Sequence, residues 1–382
     1  MNPLYLDYNA TTPVDPRVRA AMLPFYGDAF GNPSSAHRLG QEALEAVQRA
    51  RQQVAQLLGC HSDEIVFTSG GTESSNLAIQ GILRKPAAAG PSHLVISALE
   101  HPATVEPARW LQQDGFPLSV VGCDDGGVVD PADVAAAMGD RTVLVSILHA
   151  NNEVGSIQPI REIAQLCHQA GVLLHVDAAQ SAGKIDVRVE SLGADLLTLA
   201  GHKFYAPKGV GALYVRRGVV LEPLLRGAGQ EGGRRPGTEN VAQIVALGAA
   251  AQLAGDELPT AEPQLAHLRD RLQQALVEGV GQRLIVHAAA APRLPNTLSV
   301  GFAGVAGADL LARLPQLCAS TGAACHSGTT KISATLAAMG VSEEVARGTI
   351  RLSVGRFSTE EEVDTAATWL IDAWRHLVRN AH

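Results

Sequence analysis

Short, unbroken apolar runs recur along the chain, and segments of helix length separate most of them. A strand that is apolar at every position is buried on both faces, so helices must cover both sides of its sheet. The pattern therefore predicts an α/β protein with a mostly parallel sheet. The last two runs are joined by a dozen residues without a helical pattern, so one antiparallel strand is expected there. The runs are residues 65–67, 94–96, 143–145, 173–176, 196–199 and 212–215.

The second half of the chain predicts a further folding unit. Helical patterns cover residues 41–58, 241–255 and 263–277, and a final helix is expected over 359–381. At roughly 150 residues per domain, 382 residues suffice for two or three domains. We place a boundary near residues 255–263, where glycine and proline interrupt the apolar pattern. A second region of strands and helices begins near Leu284.

Charge, aromatic content and cysteine spacing exclude several classes of protein. The net charge is -8 and only 4% of residues are aromatic, so a nucleic-acid-binding face is not expected. The five cysteines are scattered and show no C-x-x-C spacing, which argues against disulfides and against a zinc site. No apolar run is long enough to span a membrane, and residues 1–7 show no signal-peptide pattern. We therefore expect a cytoplasmic protein that binds no metal.

Polar and glycine residues follow three of the apolar runs, at the sheet edge where α/β proteins bind ligands. Residues 68–73, Thr-Ser-Gly-Gly-Thr-Glu, are typical of an anion-binding helix N-terminus or of a plain helix cap. Asp177 is either a helix cap or a buried carboxylate that needs a cationic partner. Lys203 is either a solvated loop residue or a Schiff-base amine. Together the three groups could hold pyridoxal phosphate by its phosphate, ring nitrogen and aldehyde.

At these and further positions the chain resembles the cysteine desulfurases, which are class-V, fold-type I pyridoxal-phosphate enzymes. The resemblance implies a fold-type I transferase with a mostly parallel sheet in a large domain and a smaller α+β domain. It implies a large cofactor-binding domain at residues 15–258 and a small domain of residues 1–14 with 259–382. The matching stretches are residues 5–13, 31–35, 68–73, 100–101, 151–155, 177–180, 201–203, 235–240, 322–325 and 350–356.

The resemblance also implies roles for residues around the cofactor. Lys203 would bind pyridoxal phosphate covalently and move the Cα proton of the substrate, and Asp177 would hold the ring nitrogen protonated. His101 would stack on the ring and take part in catalysis. Arg351 would bind the substrate carboxylate, with Asn152 near both substrate and ring. The remaining cofactor contacts implied are Gln180 to the ring hydroxyl, and Gly71, Thr72, His202 and Thr238 to the phosphate.

Cys325 corresponds to the nucleophile that accepts sulfur, while Cys60, Cys123, Cys167 and Cys318 are interpreted as packing residues. Residues 320–330 are small and polar, which is typical of a mobile loop, and His326 either tunes the thiol or is merely solvated. The resemblance further implies a homodimer in which Thr238 reaches the phosphate of the partner subunit.

Two positions depart from the family pattern. Ala200 stands where many members have a serine that donates to the phosphate. After Cys325, many members have Glu-Pro-Ser, and this chain has Lys331-Ile332-Ser333, which leaves acceptor docking open.

The function implied is an L-cysteine desulfurase that forms alanine and a persulfide on Cys325. The alternatives are a selenocysteine lyase and, from another class, an inactive family member that serves as a scaffold. The sulfur acceptor is open, and iron–sulfur cluster assembly, tRNA thiolation and DNA modification are all compatible with the sequence.

Overall fold

The computed structural model describes residues 3–85, 90–321, 323–326 and 329–380, with the backbone alone at 323–326, 329–331 and 380. Within these ranges the strands are β1 (Leu4–Tyr5), β2 (Ile65–Thr68), β3 (His93–Ser97), β4 (Leu118–Val121), β5 (Thr142–Leu148), β6 (Leu173–Asp177), β7 (Leu196–Ala200), β8 (Gly211–Val215), β9 (Leu284–Val286), β10 (Thr297–Phe302), β11 (Leu317–Cys318), β12 (Ser320–Thr321), β13 (Ala323–His326), β14 (Thr329–Ile332) and β15 (Thr349–Ser353).

Helices alternate with these strands along most of the chain. They are α1 (Pro16–Met22), α2 (Arg38–Leu58), α3 (Gly71–Leu83), α4 (Pro102–Gln113), α5 (Pro131–Ala137), α6 (Ile160–Gln169), α7 (Val189–Leu192), α8 (Val241–Val280), α9 (Gly307–Ala312), α10 (Ala334–Ala338), α11 (Glu343–Arg347) and α12 (Glu360–Asn380). Among the described residues, no helix is long and apolar enough to cross a membrane.

The central sheet has seven strands in the order β2-β8-β7-β6-β5-β3-β4. Only β8 runs against the other six, because it pairs antiparallel with both β2 and β7. The pairs β7–β6, β6–β5, β5–β3 and β3–β4 are all parallel. The predicted α/β class is therefore confirmed, and so is the expected antiparallel strand, which is the last apolar run itself, β8.

The two faces of this sheet contribute to different hydrophobic cores. Val145 and Leu197 pack on one side with α2, α6 and the first half of α8. Their neighbours Leu144 and Leu196 pack on the opposite side with α3 and α4. Successive side chains of a strand point to opposite faces, so burial on both sides accounts for the unbroken apolar runs.

A second sheet, β12-β15-β10-β9, is antiparallel and has a core of its own. That core joins Leu4 and Leu6 to strand residues of β10 and β15, to α12 and to the second half of α8. The two cores share no residue, and α8 passes from one to the other. These cores support the proposed division at residues 15–258, which stays a prediction.

The predicted interruption of the helix between residues 255 and 263 is wrong, because α8 continues through Pro259 and Pro263, while the domain boundary placed there stays a prediction. A proline inside a helix removes one N–H and leaves the carbonyl four residues earlier without its usual partner. Those carbonyls belong to Gly255 and Pro259, and all three residues are exposed, so water can satisfy the carbonyls. The helix therefore tolerates both prolines.

The segment around Cys325 also differs from the prediction of a loop. Its described backbone forms a two-stranded antiparallel hairpin, β13–β14, in which Cys325 lies opposite Thr330. Three of the four residues of β14, Thr329, Thr330 and Ile332, are β-branched, which favours strand pairing.

Candidate active site

Five strands that point the same way, β2, β3, β5, β6 and β7, deliver residues to one edge of the central sheet. A cavity of about 180 Å³ lies at this edge. The chain segments that follow the strands supply most of its lining. Eight of the nine predicted cofactor-binding residues line it: Gly71, Thr72, His101, Asn152, Asp177, Gln180, His202 and Lys203.

The turn after β2 forms an anion cradle at one end of the cavity. Gly70 has a φ of +152°, a conformation that favours glycine, and α3 begins directly after it. The backbone N–H groups of Gly71 and Thr72 have no acceptor among the described residues. Burial lowers the pKa of His202 to about 4, so its ring is neutral at pH 7, and Nδ1 lies 3.1 Å from Thr11 Oγ1.

Asp177 ends β6 as a buried carboxylate. Its Oδ1 accepts a hydrogen bond of 3.0 Å from the Ala179 N–H, and no ion pair to it is formed within the described residues. Burial raises the pKa of Asp177, while nearby His101 and Lys203 oppose that shift. A cationic group in the cavity would stabilise the charged form of this carboxylate.

Lys203 lies in the short 3₁₀ turn after β7, Gly201–Lys203. Its Nζ donates to the carbonyl oxygens of Asn9 at 2.6 Å and Ala10 at 3.0 Å. Burial, followed by the charge of Arg351, lowers the pKa of Lys203 to about 8. A larger fraction of this amine is therefore uncharged and nucleophilic near neutral pH than for a solvated lysine.

His101 caps the N-terminus of α4, where its Nδ1 accepts from the Ala103 N–H at 3.1 Å. In the neutral ring the proton then lies on Nε2. Desolvation lowers the pKa of His101, which favours this neutral form. Glu100, next to it, is buried, and its Oε1 accepts from Ser97 Oγ at 2.5 Å and from the Leu148 N–H at 2.9 Å. Burial raises the pKa of Glu100 to about 8.

Arg351 lies on β15 and is joined to the cavity by Asn152. Its Nη1 donates to the Asn152 carbonyl at 3.0 Å, and its Nη2 donates to Asp7 Oδ1 at 2.7 Å and to Ser320 Oγ at 3.0 Å. The buried Nε has no partner among the described residues. At least the Nε donor of the guanidinium thus remains unpartnered, and the guanidinium contacts Asn152, which lines the cavity.

Asn9, Asp7 and Lys184 are site residues that the sequence analysis missed. Asn9 is buried and accepts Lys203 and Gln180 on its carbonyl, and Lys184 Nζ donates to its Oδ1. Asn9 and Asp7 lie within residues 5–13, which the sequence analysis matched to the family without giving those two residues a role. Lys184 had no such signal.

Of the remaining predicted site residues, Arg351 and Thr238 do not line the cavity. Thr238 is exposed. The structure describes the backbone of Cys325 in β13 and not its side chain.

Comparison with known proteins places the chain in a family. The sequence model of the Aminotransferase class-V family matches residues 4–365. A cysteine desulfurase IscS of Anaeromyxobacter sp. strain Fw109-5 is 45% identical over 98% of this chain and 93% of its own. Among solved structures, a NifS-like protein is similar with a TM-score of 0.90 and 37% identity, over 98% and 99% of the two chains. SspA, solved in complex with cysteine, is 35% identical with a TM-score of 0.81, over 93% and 99%.

The chain belongs to the class-V aminotransferases, in their cysteine desulfurase branch. Enzymes of this family use pyridoxal phosphate, and the cavity of this desulfurase-family chain has the donor set for it. It combines an anion cradle, a buried carboxylate without a cationic partner and an amine of lowered pKa. The residues present therefore fit the cofactor. Ala200 lines the cavity as well, so the phosphate contact that a serine gives in many members is absent here.

Proposed function

We propose that the chain is a pyridoxal-phosphate-dependent L-cysteine desulfurase. The observation that carries the proposal is the convergence of Lys203 and the buried Asp177 in one cavity with a free anion cradle. In the overall reaction, L-cysteine and the thiol of Cys325 give L-alanine and a persulfide on Cys325. The similarity to relatives named cysteine desulfurase supports the same reaction.

When bound, pyridoxal phosphate supplies an aldehyde that joins to amines and a ring that withdraws electrons from the substrate Cα. Gly71, Thr72 and His202 would hold the phosphate, and Gln180 would donate to the ring hydroxyl. Asp177 would accept a hydrogen bond from the protonated ring nitrogen, because a cation there removes the cost of its buried charge. The neutral His101 ring would cover one face of the site.

Lys203 would remove the Cα proton in its neutral form. Its lowered pKa supports this role, since a base works best when its pKa lies near the working pH. Arg351 would bind the substrate carboxylate through its unpartnered Nε, with Asp7 and Asn152 fixing the guanidinium plane.

Sulfur leaves the substrate by attack of the Cys325 thiolate on the cysteine sulfur. The new S–S bond forms as the Cβ–S bond breaks, and the electron pair of that bond stays with the carbon fragment. Protons returned to Cβ and Cα complete alanine. The proposal that Cys325 is this thiol rests on its position in the family motif at residues 322–325.

The assembly is part of the proposal as well. A homodimer in which Thr238 reaches the partner's phosphate site is compatible with the exposure of Thr238 outside its own cavity. A protein acceptor of the persulfide and a cytoplasmic location belong to the same proposal.

The test is a comparison of substrates on the cofactor-loaded chain. Purified protein is incubated with L-cysteine or with L-selenocysteine, and alanine release is measured beside the visible absorption of the bound cofactor. A desulfurase releases alanine from cysteine and acquires protein-bound persulfide. Release from selenocysteine alone would assign a selenocysteine lyase, and cofactor binding without either product would assign a scaffold. Lys203→Ala is the matched control, and borohydride reduction should no longer fix the cofactor to it.

A further inference from the structure

Lys184 is a buried lysine that the proposed steps do not use. It follows β6 and has 6% of its surface exposed. Its Nζ donates to Gln180 Oε1 at 2.9 Å and to Asn9 Oδ1 at 3.1 Å. Both acceptors are neutral amides, and no carboxylate pairs with Lys184 in the part of the chain that the structure describes. Burial of a lysine amine without a counter-ion is costly, because the amine either keeps an uncompensated charge or loses its proton.

The contacts of Lys184 determine which end of the Gln180 amide faces which neighbour. Nζ of Lys184 donates to the amide oxygen of Gln180 as an ammonium or as a neutral amine, and the Asn9 carbonyl on the other side can only accept, so the Gln180 oxygen faces Lys184. The opposite end, Nε2, donates to the Asn9 carbonyl at 2.9 Å. Rotation of the amide by half a turn would place two donors together at Lys184 and two oxygens together at Asn9. One N–H of Nε2 remains for a group in the cavity that Gln180 lines.

Asn9 holds this arrangement in place from the other side. Its Oδ1 also accepts from Asn296 Nδ2 at 3.0 Å, and its own Nδ2 donates to Thr297 Oγ1 at 2.8 Å. All these groups are buried. The carbonyl of Asn9 accepts hydrogen bonds from both Gln180 and Lys203. Asn9 therefore contacts both lysines, Lys203 through its carbonyl and Lys184 through its Oδ1.

We propose that Lys184 is a positioning residue that orients Gln180 to donate a hydrogen bond to the ring hydroxyl oxygen of bound pyridoxal phosphate. The proposal rests on the proposed function, because it needs the cofactor in this cavity. Burial lowers the pKa of Lys184 well below its usual value, and the charges of Lys203 and Arg351 act in the same direction. Even the neutral amine keeps two N–H groups, one for Gln180 Oε1 and one for Asn9 Oδ1.

The experiment measures the pH at which the visible absorption of the cofactor-loaded chain changes. A donor on the ring oxygen makes that oxygen less basic, so the neighbouring nitrogen that links Lys203 to the cofactor loses its proton at lower pH. In Lys184→Met the donor is no longer oriented, and the midpoint should rise by about 0.5–1 pH unit. Gln180→Leu should raise it in the same direction.

The double variant Lys184→Met/Gln180→Leu distinguishes orientation from a direct charge effect. If Lys184 acts through Gln180, adding Lys184→Met to Gln180→Leu moves the midpoint no further. Lys208→Met removes an exposed lysine near His202 and should leave the midpoint unchanged. Lys203, Arg351, Asp177 and His101 also face the site and are the same in every variant, so their effects cancel.

Three results would overturn the proposal: an unchanged midpoint in Lys184→Met, a shift of equal size in the Gln180→Leu background, or an equal shift in Lys208→Met. If Lys184→Met does not take up cofactor, Lys184→Gln, which keeps an N–H donor group, is titrated instead, and its midpoint should shift less than that of Gln180→Leu. A wild-type chain without visible absorption would contradict the proposed function and not this inference.

Discussion

At the scale of single residues, the site contains ionisable side chains that are buried without a partner of opposite charge. Burial raises the pKa of Asp177 and lowers those of Lys203 and Lys184. An anionic phosphate and a cationic ring nitrogen would offset these costs together. The cofactor-free chain is therefore expected to gain stability on binding pyridoxal phosphate.

Asp177→Asn is predicted to keep the fold and lose most of the turnover, by about 100-fold or more, since the ring nitrogen loses its ionic partner. The raised pKa means that the folded state keeps the Asp177 proton to higher pH than the unfolded state.

As the pH rises above about 4, the unfolded state loses this proton first, so ionisation of Asp177 lowers the free energy of unfolding. The cofactor-free variant should then be at least as stable as wild type at pH 7 in urea denaturation. Near wild-type turnover in a fully loaded variant would contradict the assigned role.

Arg351→Lys is predicted to weaken substrate binding more than it slows chemistry. Lysine cannot present the planar set of donors that holds Asp7, Asn152 and a carboxylate together. One lost charged hydrogen bond, about 1.5–3 kcal/mol, corresponds to a KM for L-cysteine raised by about tenfold or more. Steady-state kinetics would show this, with the exposed Arg347→Lys as the matched control. An unchanged KM would remove Arg351 from the carboxylate site.

At the scale of elements, the prolines inside α8 are expected to lower the free energy of unfolding, which substitution can test. Pro263→Ala removes the cost of a proline inside a helix, which is at most about 3 kcal/mol and is reduced here because water can satisfy the exposed Pro259 carbonyl, and about 1 kcal/mol of unfolded-chain entropy is subtracted. The free energy of unfolding should rise by about 1–2 kcal/mol in urea denaturation. Pro131→Ala, in the first turn of α5 where no N–H is needed, should give no gain. A loss of stability in Pro263→Ala would contradict the account of this helix.

Elements with a strong local pattern could be predicted from the sequence. The apolar runs gave the strands β2, β3 and β5 to β8, because burial on both faces leaves an unbroken pattern. The half-exposed β4 shows no such run and was missed. The break in α8 was predicted wrongly because solvation of two exposed carbonyls depends on tertiary placement. The hairpin β13–β14 depends on which residues of the two strands pair, and composition alone does not show that.

The site shows the same division between local and tertiary signals. Glycines, Asp177 and Lys203 follow strand ends, so their meeting could be predicted from topology. Lys184 and Asn9 could not, because their roles arise from a hydrogen-bond network that joins residues far apart in the chain.

At the scale of the whole molecule, the proposed homodimer is predicted to share its active sites. Mixed dimers of Lys203→Ala and Thr238→Ala subunits distinguish the possibilities. If Thr238 serves the partner's site, one site of the mixed dimer has both lesions and the other has none, so about half of the activity returns. If Thr238 serves its own subunit, every site has a lesion and activity stays low. Alanine release from mixed and pure dimers is the measurement.

We infer that cofactor chemistry and sulfur acceptance belong to different parts of the molecule, with Lys203 in the central-sheet cavity and Cys325 on the β13–β14 hairpin. Cys325→Ala should bind pyridoxal phosphate normally and change its absorption when L-cysteine is added. Cys318→Ala, which removes a free cysteine on β11, should behave like wild type.

The most direct measurement is alanine release together with the intact mass of the protein after incubation with L-cysteine. Wild type and Cys318→Ala should release alanine and gain the mass of one sulfur atom. Cys325→Ala should do neither. Desulfurase activity in Cys325→Ala, with the added sulfur on Cys60, Cys123, Cys167 or Cys318, would contradict the claim.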